Sequence, residues 1–322
     1  MVAPAPSPSA EPDPPVRGGS WWRLELPLPP ELEESLLWKL PQLGIPRLAV
    51  RHRPERPAER LLQAWLPAAD WPKPERIELL KALEPLGEPF GLALPAAVWY
   101  RQDDEDWSLS WKRHWQPDPV GQRLLILPAW LEVPPEHADR LVIAMDPGSA
   151  FGTGSHPTTR LCLEALEELA ATPSGLTGLR VADLGCGSGI LGLGALRLGA
   201  TSVAMVDTDG LAVRASRDNA ALNGLGDAVA VGLGSIELLA DLLENRPADL
   251  LLCNILAPVI TALCPAFGSV LAPGGIGLLS GLLVDQAPEL ERVLQAQGWT
   301  SRLVGRQERW GLLRIHGPEL VT

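Results

Sequence analysis

A chain of 322 residues with 46% hydrophobic and 20% charged side chains has room for two compact domains and an ordinary globular composition, which excludes a mainly disordered or fibrous polymer. Its net charge of −12, acidic in both halves, excludes the basic footprint of an autonomous nucleic-acid binder and would attract a basic macromolecule. Ten of the 12 tryptophans fall between Trp21 and Trp130, so two halves with different tasks are expected.

Residues 1–20 are rich in Pro, Ala and Ser with no apolar period and are expected to form a disordered tail. From Trp21 the pattern alternates as a strand does, and Glu31–Leu40 has helical spacing after a double proline. Arg47–His52 and Leu61–Leu66 are short strand candidates. Ile77–Leu86 repeats the helical pattern, and Gly91–Tyr100 is a further strand candidate. The order β-α-β-β-α-β over residues 21–101 predicts a ferredoxin-like α+β domain. Residues 102–120 read as a tryptophan-rich linker in which Trp107, Trp111 and Trp115 share one face of any helix that forms. They would either pack the linker onto a neighbour or dock a partner.

Beyond residue 121, apolar strand-like runs at Val181–Leu184, Ser202–Asp207, Val229–Val231, Leu250–Cys253 and Ile276–Ser280 alternate with helical segments at Ile190–Leu198, Leu211–Leu222, Ile236–Leu243 and Leu256–Leu271. This alternation predicts a doubly wound, Rossmann-like parallel sheet over 121–322, with ligands bound beyond the carboxyl ends of its strands. The four cysteines show no CxxC pair and no metal spacing, and no secretory leader or membrane-length apolar run is present. Reduced thiols in a cytoplasmic protein without a metal or membrane partner are expected.

Three loops carry the chemistry. After the first strand run, Gly185, Gly187, Gly189 and Gly192 let the backbone approach a ligand, and Asp207 ends the next strand where a ribose-binding carboxylate would stand. A dinucleotide and S-adenosylmethionine compete for such a loop. Asp183 argues for the second, because a carboxylate there repels a diphosphate and suits the ammonium group of S-adenosylmethionine. The second loop, Asp146 to Thr159, precedes a helix that starts near Pro157. Two readings stay open: a flexible loop with a helix cap, or a lid with Phe151 as apolar cover and Thr159 as a hydroxyl for the ligand. In it His156 reads as a cap or packing group ahead of a base. The third is Asn254–Ala257, where Asn254 at a strand end either satisfies a turn or holds an attacking amine with its lone pair aimed at a methyl group.

The runs DPGSAFGTGSHPTT (Asp146–Thr159), DWSLSWK (Asp106–Lys112), ADLGCGSGIL (Ala182–Leu191), NILA (Asn254–Ala257) and LSG (Leu279–Gly281) resemble, in order, the pattern of the ribosomal protein L-eleven (L11) methyltransferase family. The resemblance spans residues 21–315. It implies a class I methyltransferase sheet with an N-terminal substrate-recognition domain and S-adenosyl-L-methionine as cofactor. By it, Thr159, Gly185, Asp207 and Asn254 would contact the cofactor. The implied reaction is methylation of lysine ε-amino and N-terminal α-amino groups of the ribosomal protein, with no nucleic-acid partner. Gly210 departs from a common family proline, and residues 170–178 look longer than usual. Other readings of the same fold are an RNA or small-molecule methyltransferase, an NAD-dependent oxidoreductase, or a non-enzymatic ribosome-associated binding protein.

Overall fold

The computed structural model describes residues 20–53, 56–102, 115–146, 154 and 156–317. Most of the expected tail and linker, with Trp107 and Trp111, and the proposed cover Phe151 lie outside the described residues.

The N-terminal elements are β1 (Trp21–Pro27), α1 (Pro30–Gln42), β2 (Leu48–Arg53), β3 (Arg56–Pro67), α2 (Lys73–Leu83) and β4 (Val98–Gln102). They form an antiparallel sheet of order β2-β3-β1-β4, the order of the ferredoxin-like arrangement. Side chains alternate across a strand, so Leu24 and Leu26 of β1 pack on Leu32, Leu36 and Leu40 of α1. Trp21 and Trp65 face the other way and bury themselves with Ala49, Trp115 and Trp130. Of the linker's three tryptophans, Trp115 is thus a packing residue, and its Nε1 donates to the Leu48 carbonyl at 3.2 Å. The last strand starts at Val98 instead of residue 91. A 3-10 turn covers Glu84–Phe90 and residues 91–97 are irregular, because Pro85, Pro89 and Pro95 lack the amide hydrogen that a ladder needs.

Three strands, β5 (Asp118–Val120), β6 (Leu124–Pro128) and β7 (Leu141–Met145), make a small sheet that the periodicity reading did not anticipate. The turn between β5 and β6 is tied down by Glu167, whose carboxylate accepts the Gln122, Arg123 and Leu124 amides.

The remaining elements are α3 (Pro157–Ala170), β8 (Arg180–Leu184), α4 (Ile190–Arg197), β9 (Ser202–Asp207), α5 (Gly210–Leu222), β10 (Val229–Leu233), α6 (Ile236–Leu242), β11 (Ala248–Asn254), α7 (Ala257–Leu263), β12 (Leu271–Leu283), α8 (Ala287–Ala296), β13 (Thr300–Gln307) and β14 (Trp310–His316). The sheet order is β10-β9-β8-β11-β12-β14-β13. β8 to β12 run parallel, and β14 is inserted antiparallel between β12 and β13. Both faces are covered: Val181, Met205 and Leu252 belong to one core, and Ala182, Val206 and Leu251 to the other. The helix expected over 256–271 stops at Leu263 and continues as a 3-10 turn, Cys264–Ser269, where Pro265 breaks the α hydrogen-bond pattern. All four cysteines are free and buried. No helix among the described residues is long and apolar enough to cross a membrane. The strand order reverses between β8 and β11, which opens a crevice at their carboxyl ends.

Candidate functional site

A cavity of about 500 Å³ occupies that crevice, a size typical of small-molecule sites. One wall comes from strand ends. Gly185 follows β8 with φ +75°, and a Cβ there would stand 2.3 Å from Ile255 Cγ2, so any larger residue meets both strain and a clash. Gly187 donates its amide to Asp207 Oδ2 at 2.9 Å, and the Asp209 amide donates to Asp207 Oδ1 at 2.9 Å. Asp207 therefore braces the glycine loop and still lines the cavity. Burial pushes its carboxyl above the usual range, and the Asp209 and Gly187 amides oppose that. Gly281, with φ +80°, lets β12 pass the Ile255 backbone, whose carbonyl oxygen would be 2.3 Å from a Cβ.

Asn254 ends β11 on the same wall and is 8% exposed. Its Nδ2 donates to Thr159 Oγ1 at 3.3 Å, and its Oδ1 is buried without a hydrogen-bond partner among the described residues. An orphaned acceptor of this kind is rare in a folded protein. Thr159, in the first turn of α3, is not itself a wall residue; its hydroxyl donates to Glu34 Oε1 at 3.2 Å. Asp183 stands apart from the expectation. It is 1% exposed, absent from the cavity wall, and accepts the Gly192 amide at 3.0 Å. Burial raises its carboxyl to about 7. There it ties the start of α4 to β8. Gly187 likewise is not a wall residue, and its amide donates to Asp207, which is.

His156 is the N-cap of α3 and accepts the Thr158 amide through Nδ1 at 3.3 Å. Its Nε2 is 3.0 Å from the Pro30 carbonyl, so the ring carries its proton on Nε2 and is neutral. Burial lowers its pKa to about 4. With its ring 4.8 Å from Trp310, it is the capping and packing group that the sequence favoured.

The opposite wall was missed by motif reading. It is the face of α1 that carries Glu31, Glu34, Ser35 and Trp38, together with Phe90. Trp38 Nε1 donates to Asp209 Oδ2 at 3.0 Å, and Gln42 Nε2 donates to the same oxygen at 3.1 Å. The available signal was positional: 31, 34, 38 and 42 repeat at helical spacing on the side opposite Leu32, Leu36 and Leu40. The acidic side chains Glu31, Glu34, Asp207 and Asp209 among apolar walls suit a cation with an apolar ring better than a phosphate chain. No group of acids, histidines and cysteines among the described residues could hold a metal.

Comparison with known proteins places the chain in a family. The family model for ribosomal protein L11 methyltransferase (PrmA) matches residues 20–317. The ribosomal protein L11 methyltransferase of Synechococcus sp. (strain RCC307) is 66% identical over 296 residues, covering 92% of this chain and 97% of that protein. The protein of the same name from Parasynechococcus marenigrum (strain WH8102) is 66% identical over 288 residues, covering 89% and 98%. Among solved structures, a ribosomal protein L11 methylase from Lactobacillus delbrueckii subsp. bulgaricus superposes with a TM-score of 0.56 at 33% identity, covering 64% of this chain and 100% of that one.

Proposed function

The chain belongs to the ribosomal protein L11 methyltransferase family, and from that premise we propose that it transfers methyl groups from S-adenosyl-L-methionine to lysine ε-amino and N-terminal α-amino groups of ribosomal protein L11. The observation that carries the proposal is Asn254, whose acceptor oxygen is buried and has no hydrogen-bond partner among the described residues, on the wall of an acidic, apolar cavity. When bound there, the cofactor supplies an electrophilic methyl group. The carboxylate of Asp207 would take hydroxyl hydrogen bonds, as its place at the end of β9 suits, and Gly185 admits the close approach of a ligand. Thr159 orients Asn254, and Asp183 acts indirectly by holding Gly192. Phe151 completes the proposed set from outside the described residues. The division of labour proposed along the chain places substrate recognition in residues 21–101 and transfer in 121–322, joined by 102–120.

Asn254 Oδ1 would accept an N–H of the target amine and turn its lone pair outward, which is positioning and not proton abstraction. A lysine must first lose its proton, at a cost of about 4.6 kcal/mol at pH 7 for a pKa of about 10.4. The test is intact mass and peptide mapping of purified L11 after incubation with the protein and S-adenosyl-L-methionine. Increments of one methyl each on amine-bearing peptides are expected; an unmodified L11, or label found in ribosomal RNA instead, would refute the assignment.

A further inference from the structure

Asn254 orients an amine but cannot accept its proton, whereas Glu34, on the wall of the same cavity, carries a group that can. Its Oε1 takes the Thr159 hydroxyl proton at 3.2 Å, and Thr159 Oγ1 in turn takes Asn254 Nδ2 at 3.3 Å. A hydroxyl has a single proton to give. With that proton given to Glu34, Thr159 accepts from Asn254, which places the amide with Nδ2 toward Thr159 and Oδ1 free. A chain of two hydrogen bonds therefore links a carboxylate on the cavity wall to the orphaned acceptor. We propose that Glu34 is the residue that receives the substrate's ammonium group and takes its proton, so that α1 of the N-terminal sheet completes the catalytic centre. This rests on the methyltransferase reading above.

The step balances as follows in atoms and charge. The ammonium N–H bond breaks, the proton goes to a Glu34 oxygen, and the electron pair stays on nitrogen. That pair forms the N–C bond while the electrons of the S–C bond stay on sulfur, and the positive charge moves from the sulfonium to the methylated amine. Glu34 returns its proton to solvent before the next transfer.

The surroundings of Glu34 favour this role. Its side chain is 13% exposed and lies 3.5 Å from His156 Nδ1, which is neutral and leaves it uncompensated. On its own helix, Glu33 is bound by Arg60 and Glu31 by Arg309, while Asp207 and Asp209 share its cavity and the buried Cys162 feels its charge. Burial and the neighbouring Glu33 raise its carboxyl to about 8, against the pull of the Thr159 hydrogen bond. In the free protein at pH 7 it is mostly neutral, and an arriving ammonium would restore its charge. Before the attraction between ammonium and carboxylate is counted, proton transfer from a lysine at about 10.4 to a group near 8 is roughly 250-fold uphill, against over a millionfold on the same footing for an ordinary glutamate at about 4.3.

The test is E34Q, close in shape and unable to accept a proton. Single-turnover methylation of purified L11 at pH 7 is expected to fall about 100-fold or more. The variant's rate should then climb about tenfold per pH unit from 7 to 9 toward that of the wild type, since amine neutralised in solution bypasses the lost acceptor; the wild-type profile should be shallower. Without cofactor, calorimetric titration of L11 at pH 7 in buffers of different ionisation enthalpy should show proton release for the wild type and little for E34Q. A variant that matches the wild type in rate and slope, or that folds yet shows no recovery at high pH, overturns the proposal. An inactive wild type that fails to bind S-adenosyl-L-methionine overturns the methyltransferase reading instead.

Discussion

The two walls of the cavity are held in place by different means. On the strand-end wall, Gly185, Asp207 and Gly281 are fixed by backbone: amides donate to the Asp207 carboxylate, and the two glycines occupy left-handed conformations against Ile255. On the α1 wall, Glu31, Glu34 and Trp38 are fixed by side chains that reach across the molecule, Arg309 to Glu31, Thr159 to Glu34 and Trp38 to Asp209. The first wall is set when the parallel sheet forms. The second comes from a helix of the N-terminal sheet, so one half of the chain presents groups to a cavity that the other half's strands build.

The hardest test of the α1 wall is the pair that anchors the helix. Arg60 of β3 donates to Glu33 at 2.6 Å, with side-chain exposures of 9% and 0%. Arg60→Ala leaves a buried carboxylate without that partner, so a loss of about 3–5 kcal/mol is expected in denaturant unfolding. A loss under about 1 kcal/mol, the ordinary value of a surface pair, would show that the leucine face alone holds α1. The strand-end wall is tested by Asn254→Ala. Removing a positioning group without altering the backbone should slow single-turnover methyl transfer about 100-fold and leave calorimetric affinity for S-adenosyl-L-methionine nearly unchanged. Unchanged transfer would remove Asn254 from the centre and leave Glu34 without a partner in the chain of hydrogen bonds.

The same difference explains what was legible in the sequence. Gly185 and Asp207 stand out because a glycine needed for positive φ and a carboxylate needed at a strand end leave few alternatives, and the signal lies within some 20 residues of chain. The parallel strands were equally plain, since burial on both faces demands continuous apolar runs such as Leu250–Cys253. Glu34 and Trp38 had no such mark. Their partners Thr159 and Asp209 lie 125 and 171 positions away, and a helix face tolerates many polar residues at equivalent spacing. Asp183 shows the opposite case. Its type and place suited a ligand, but a strand residue two positions before the loop points into the core, where Gly192 satisfies it. Trp21 and Trp65 match no motif and are core, packing with Trp115 and Trp130, since a tryptophan excess in the sequence reads equally as recognition surface or as core.

The smallest expected effect discriminates most finely between the walls. Asp209 is the N-cap of α5: Oδ1 accepts the Leu211 amide at 2.9 Å, while Oδ2 accepts Trp38 Nε1 and Gln42 Nε2. One carboxylate thus serves both walls through different oxygens. Trp38→Phe keeps an aromatic ring against the cavity and removes only one donor to Oδ2, so the docked state of α1 should lose about 0.5–1.5 kcal/mol. The α5 cap, which depends on Oδ1, should be untouched. Hydrogen exchange separates the two: amides of α1 should exchange roughly 2- to 12-fold faster, the same energy converted at 1.4 kcal/mol per tenfold, while the Leu211 amide keeps its protection. If both accelerate together, the walls open as one unit and the independence of the α1 wall is wrong. If neither does, Gln42 alone suffices to hold Asp209, and the tryptophan serves the cavity rather than the clasp.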